Sequence, residues 1–148
     1  MRRPAIAADR SLDIVSGVAG AACGLLALYR AAGTPWVLER AVACGRHIPD
    51  RPEADQNGRG WAGVAARPLT GFSHGAAGIV HALLGLYDAT GQAGFLDKAR
   101  RGVDFEQALF DPACGNWPDL RLDDRQGFPS QWCHGATGIG FGRLAALP

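Results

Sequence analysis

Three side chains stand where acid–base or metal chemistry would be possible: His74, Cys133 and His134. The two histidines open versions of one short box, HGAAG at His74–Gly78 and HGATG at His134–Gly138. An imidazole titrates near neutrality, so a histidine there can serve as an acid or a base; it can equally cap a helix or sit in a loop without chemistry. Cys133 lies two residues before Gly135, at what reads as a helix start. The free N–H groups and positive dipole end of a helix N-terminus favour a thiolate, the form that binds metal. The alternative is a small buried apolar group. Cys23 and Cys44 lie in apolar helical stretches and fit that alternative, and Cys114 in DPACGN is expected to be an exposed thiol without a role. His81 is expected to make a structural hydrogen bond inside a buried helix, and His47 to lie at the surface.

The box occurs a third time, as SGVAG at Ser16–Gly20, and the three glycine pairs start at Gly17, Gly75 and Gly135, 58 and 60 residues apart. A second element repeats in phase: AGTPWVLERA (Ala32–Ala41) matches TGQAGFLDKA (Thr90–Ala99). Self-similarity at this period implies a stacked or ring-shaped architecture, with equivalent positions at one end. Two glycines three apart share one face of a helix's first turn and let another backbone approach closely there.

The elements that position the boxes read as helix pairs. Thr34 and Pro35 suit the start of a helix running to about Ile48, with Val37, Leu38, Ala41, Val42, Gly45 and Ile48 on one face. Residues 94–110 are its counterpart, with Phe95, Ala99, Val103, Glu106 and Phe110 on one face; Glu106 there suggests a partly exposed edge or a pair with arginine. The segments after the boxes, AACGLLALY and IVHALLGLY, are apolar nearly all round, which predicts helices buried on all sides. Alternating half-buried and fully buried helices give an all-α, two-layer α/α ring or solenoid of about three helix pairs, incomplete at its last copy. The connectors at 49–70 and 111–131 read as long loops on the binding face.

Composition narrows the function classes. The net charge is +1 with no basic stripe, so neither a nucleic-acid surface nor an anionic-membrane surface is supported. The apolar runs are too short and too glycine-broken to span a membrane, the N-terminus lacks a secretory signal, and cytoplasmic residence is the expectation. The four cysteines include no CxxC and suggest no disulfide framework. Among the 148 residues 21 are glycine, an excess that partly reflects the repeated box. Asp119, Asp123 and Asp124 offer the paired carboxylates of a carbohydrate-active toroid, but they read as a solvated loop.

Four segments in register, LDIVSGVAG, GFSHGAAGI, LFDPACGNWPDLR and WCHGATGIG, resemble the lanthionine synthetase C-like family, closest to the C-terminal cyclase domain of type 2 lanthipeptide synthetases. The resemblance covers nearly all of residues 11–148, expected to be a partial cyclase domain, with residues 1–10 as an N-terminal extension. It implies an α/α toroid with inner and outer helix rings. The implied activity is zinc-dependent addition of a cysteine thiol of a dehydrated precursor peptide to dehydroalanine or dehydrobutyrine, forming a lanthionine or methyllanthionine ring. On the matching motifs, Cys133 corresponds to the first zinc ligand, His74 to the acid/base histidine and Asp13 to the aspartate that assists it. His134 corresponds to a residue near the reacting groups that does not bind metal.

The sequence departs from the family pattern in ways that bear on activity. The adjacent Cys-His or Cys-Cys pair that supplies further zinc ligands has no match here. Pro129 stands where stand-alone cyclases carry an arginine, and Thr137 replaces a usual proline. Zinc is therefore expected for the complete domain, while this chain supplies one ligand, too few to hold it tightly. The alternative function is a non-catalytic toroid fragment that binds a peptide, the rest of a synthetase or a completing subunit.

Overall fold

A computed structural model describes residues 3–50, 53–55, 58–63, 65, 67–122 and 127–145. Asp123 and Asp124, and the last three residues of the segment expected to end the final helix, lie outside the described residues.

The helices are α1 (Arg3–Ala7), α2 (Val18–Ala32), α3 (Pro35–His47), α4 (Ala76–Thr90), α5 (Ala93–Gln107) and α6 (Ala136–Leu144). Helices α2, α4 and α6 each follow a glycine box and pack side by side with α4 in the middle; α3 packs on α2 and α5 on α4. This is the expected all-α arrangement, an arc of inner and outer helices as in an α/α toroid. Helix α1 packs on α3, and its Ile6 is buried in the main core. No described helix is long and apolar enough to cross a membrane.

The outer helices form where the apolar stripes place them. Val37, Ala41, Val42, Gly45 and Ile48 are buried on α3, as are Phe95, Ala99 and Glu106 on α5. Pro35 takes the first turn of α3, but Thr34 makes no capping bond and its hydroxyl donates to the Ala32 carbonyl. Buried Lys98 is an unexpected member of the α5 face. Its ammonium donates to the Gly45 and Ile48 carbonyls at 3.3 and 2.5 Å and pairs with Asp50 at 2.9 Å, closing the C-terminal end of α3. That partner also holds the Asp50 carboxyl below its usual range.

The all-round burial expected of both apolar helices holds for α4 and fails for α2. Helix α4 buries nine residues, including Ile79, Val80, Leu83 and Leu86, because helices flank it on both sides. Helix α2 buries Val18, Ala19, Ala22 and Leu26 and leaves Leu28 half exposed, because its second flank has no described neighbour. Helix α6 is similar: Ile139 is buried, while Phe141 and Leu144 are exposed. His47 is half-buried rather than superficial, with Nε2 2.9 Å from the Asp9 carbonyl. His81 makes no Nδ1 hydrogen bond among the described residues and instead stacks on Phe141, edge-on to Phe72.

The two connectors are more organised than long loops. The first carries an antiparallel pair, β1 (Glu53–Asp55) and β2 (Gly58–Gly60), with Ala54 opposite Arg59. The second holds a bridge between Asp111 and Asn116.

Candidate functional site

Each box builds the same local structure, and the glycines explain how. A Cβ on Gly20 would lie 1.9 Å from the Ile14 carbonyl oxygen, one on Gly78 2.1 Å from that of Phe72, and one on Gly138 2.0 Å from that of Trp132. In every copy the backbone six residues upstream crosses the first turn of the inner helix. The close approach is thus made by the box's own leader segment, which is bent back over the helix. The first and third copies also share a long-range turn bond, Gly20 N–H to the Asp13 carbonyl at 3.1 Å and Gly138 N–H to the Gln131 carbonyl at 3.3 Å. This bend carries Asp13, the segment before His74, and Cys133 to the N-terminal ends of three neighbouring helices.

The helix N-termini are not left free for an external anion. Glycine is the N-cap of each inner helix, α2, α4 and α6, and supplies no side chain, so remote polar groups cap them. Asp9 accepts the Val18 N–H of α2 at 3.2 Å, and Asn116 accepts the Ala136 N–H of α6 at 2.8 Å. For α4 the cap is Glu106, reaching in from α5 to accept the Gly71 N–H at 3.2 Å and the Ala77 N–H. Glu106, expected at a partly exposed edge or paired with arginine, is almost fully buried, and burial raises its pKa to about 7, partly offset by these bonds and by the charge of Arg143.

Asp13 and His74 form a hydrogen-bonded pair, with Nδ1 of His74 2.8 Å from Oδ2 of Asp13. Asp13 is buried, and its Oδ1 also accepts the Val15 and Ser16 N–H groups at 3.0 and 2.7 Å and the Ser16 hydroxyl at 3.2 Å. A carboxylate fixed by so many donors fixes its histidine in turn: Nδ1 carries the proton toward Asp13, and Nε2 is left for other partners. His74 keeps 36% of its side chain exposed, so its ring is reachable from solvent.

The third box is bolted to the second through Cys133. Its carbonyl accepts the Phe72 and Ser73 N–H groups at 3.0 and 3.2 Å and the Ser73 hydroxyl at 3.4 Å, one residue from His74. The Cys133 thiol is half-buried and contacts Oε1 of Gln131 at 3.5 Å. His134 is buried, and its ring donates to the Thr70 carbonyl. Burial first, then Arg121 and His74, push its pKa down; Asp119 and the Thr70 carbonyl oppose this. His134 is thus a neutral ring engaged in joining the second and third boxes.

One pair in this neighbourhood was not legible as a site. Asp119, expected in a solvated loop, is buried and bonds Arg121 side-on: Nε lies 2.9 Å from Oδ1 and Nη2 2.5 Å from Oδ2. Arg121 pulls the Asp119 carboxyl below its usual range. The only sequence signal was the order Asp-Leu-Arg, which by itself is common.

The described residues contain no group of three or more His, Cys, Asp or Glu side chains able to hold a metal. Cys133 stands as a single thiol, while the nearest imidazoles are engaged by Asp13 and Thr70. Catalytic zinc takes three protein ligands, so these residues alone do not fit a resident zinc ion.

No curated protein and no solved structure matches the chain. A family model described as lanthionine synthetase C-like protein matches residues 2–148. With the repeated inner-helix box, the helix pairs and nearly the whole length matched, the chain belongs to the lanthionine synthetase C-like family.

Proposed function

We propose that this chain works as part of a cytoplasmic lanthionine synthetase cyclase, acting on a dehydrated precursor peptide, with Asp13 and His74 handling protons and Cys133 beside them. The observation that carries this reading is the buried carboxylate 2.8 Å from a solvent-reachable imidazole, one residue from the segment bonded to the Cys133 carbonyl.

The chemistry needs two proton movements. A peptide thiol loses its proton, sulfur bonds to the β-carbon of the dehydro residue, and the double-bond electrons pass to the adjoining carbonyl as an enolate. The α-carbon then takes a proton. Neither oxidant nor reductant is required. His74 suits both movements: Asp13 stabilises the imidazolium formed when Nε2 accepts a proton, and the same ring returns it. His134 supports the arrangement by holding the two boxes together.

Cys133 is assigned as one thiolate ligand of a zinc site whose other ligands come from outside the described residues. The apolar side chains exposed on α2 and α6 favour the same completing body, either the rest of a synthetase or another subunit. Light scattering tests that part; a stable monomer with no affinity for a separately expressed remainder of a synthetase overturns it.

A synthetic peptide with one dehydroalanine and one cysteine tests the reaction. Cyclisation leaves its mass unchanged and abolishes its uptake of maleimide, and His74→Asn should slow the loss about 100-fold or more. Uptake equal to a protein-free control, with and without added zinc and the remainder of a synthetase, overturns the reading. Elemental analysis before and after Cys133→Ala tests the ligand; near-zero zinc in both, with that remainder present, overturns it.

A further inference from the structure

We propose that Arg121 is a substrate-positioning residue that draws an anionic oxygen of the peptide toward Cys133. The proposal rests on the cyclase reading above.

Arg121 is held in place, unlike most surface arginines. Asp119 is 7% exposed and grips the guanidinium through both carboxylate oxygens. The loop that carries the pair is tied at two points, by the Asp119 N–H to the Gly127 carbonyl at 2.7 Å and by the Thr70 hydroxyl to the Pro118 carbonyl at 3.0 Å. Thr70 is also the residue whose carbonyl receives the His134 ring, so the Arg121 loop and the Cys133–His134 segment share an anchor. The guanidinium remains half exposed.

The electrostatics agree with this placement. Asp119 raises the Arg121 pKa most, and Cys133 adds to the upward push, while Arg121 acts on His134. Asp119 offsets much of the positive charge, so what remains toward the site is a directed N–H edge rather than a diffuse cation. Such an edge suits the oxygen that turns negative as sulfur adds to a dehydro residue, because a donor fixed in advance need not reorganise when the charge forms.

Competition between iodoacetate and iodoacetamide at Cys133 tests this without cyclase activity. In both reagents sulfur bonds to carbon and iodide leaves, but only iodoacetate carries an anionic oxygen beside the reacting carbon. The ratio of the two rate constants at Cys133, read by peptide mass spectrometry, should fall about three- to tenfold in Arg121→Gln. It should fall also in Arg121→Lys, which keeps a positive charge and loses the clamped N–H edge. Cys44, fully buried, reports folding by remaining unlabelled. An unchanged ratio in folded Arg121→Gln overturns the proposal. If that variant labels at Cys44, an unchanged ratio in folded Arg121→Lys overturns it instead. Neither result bears on thioether formation, so failure here is distinct from failure of the cyclase reading.

Discussion

Helices α2 and α4 carry nearly the same kind of sequence after the same kind of box, yet one is exposed along a flank and the other is enclosed. Leu83 and Leu86 of α4 are wholly buried, whereas Leu28 of α2 is 49% exposed. Burial of an apolar helix is decided by how many neighbours the fold supplies, and the apolar pattern sets only how many it can accept. The flanking copies therefore show what an inner helix offers to the next one. The proposed site divides along the same line: α2's leader supplies Asp13, α4's supplies His74 and α6's supplies Cys133, so no single copy would hold it.

The sharpest way to break this comparison is to truncate equivalent leucines. Leu86→Ala should cost about 3–5 kcal/mol in denaturant unfolding, and Leu28→Ala within about 0.5 kcal/mol. Similar costs would mean that α2 is enclosed as α4 is.

The caps give the next largest contrast. Helix α4 is capped by an acid whose pKa is raised to about 7, whereas α6 is capped by Asn116, which does not titrate. Below the unfolded-state value of 4.5 the Glu106 proton is held in both states; between there and about 7 only the folded state holds it. Its contribution is therefore full in acid and is lost as pH rises through about 7, by about 3 kcal/mol in all. Relative to Glu106→Gln, the wild type should lose that much stability between about pH 4 and pH 8. A constant difference across this range would show that Glu106 ionises normally.

Glycines give the smallest contrast. Gly78→Ala pushes a methyl group against the Phe72 carbonyl and should destabilise by about 2 kcal/mol, whereas a Cβ at Gly24 meets open space and Gly24→Ala should stabilise by up to about 1 kcal/mol. Thermal melts of both variants decide it; equal shifts would remove the leader crossing as the reason for the glycine.

The helix pairs were legible because a 3.6-residue apolar stripe survives in one-dimensional text, as with Val37, Ala41 and Gly45 on α3. Repetition exposed the inner helices and placed His74 and Cys133 at one end. The caps were not legible. Asp9, Glu106 and Asn116 lie 9, 29 and 20 residues from the N–H groups of Val18, Ala77 and Ala136, and nothing in their local sequence signals those partners.

The sequence by itself determined the helical repeat, the family and the residues worth watching, because period and motif are local properties of the chain. The tertiary structure alone decided that Asp13 bonds His74 across 61 residues, that Cys133 is joined to Ser73 across 60, and that the loop carrying the Asp119–Arg121 pair is tied to Thr70. These pairings arise because three bent leaders meet at one end of α2, α4 and α6, and packing between helices sets that meeting.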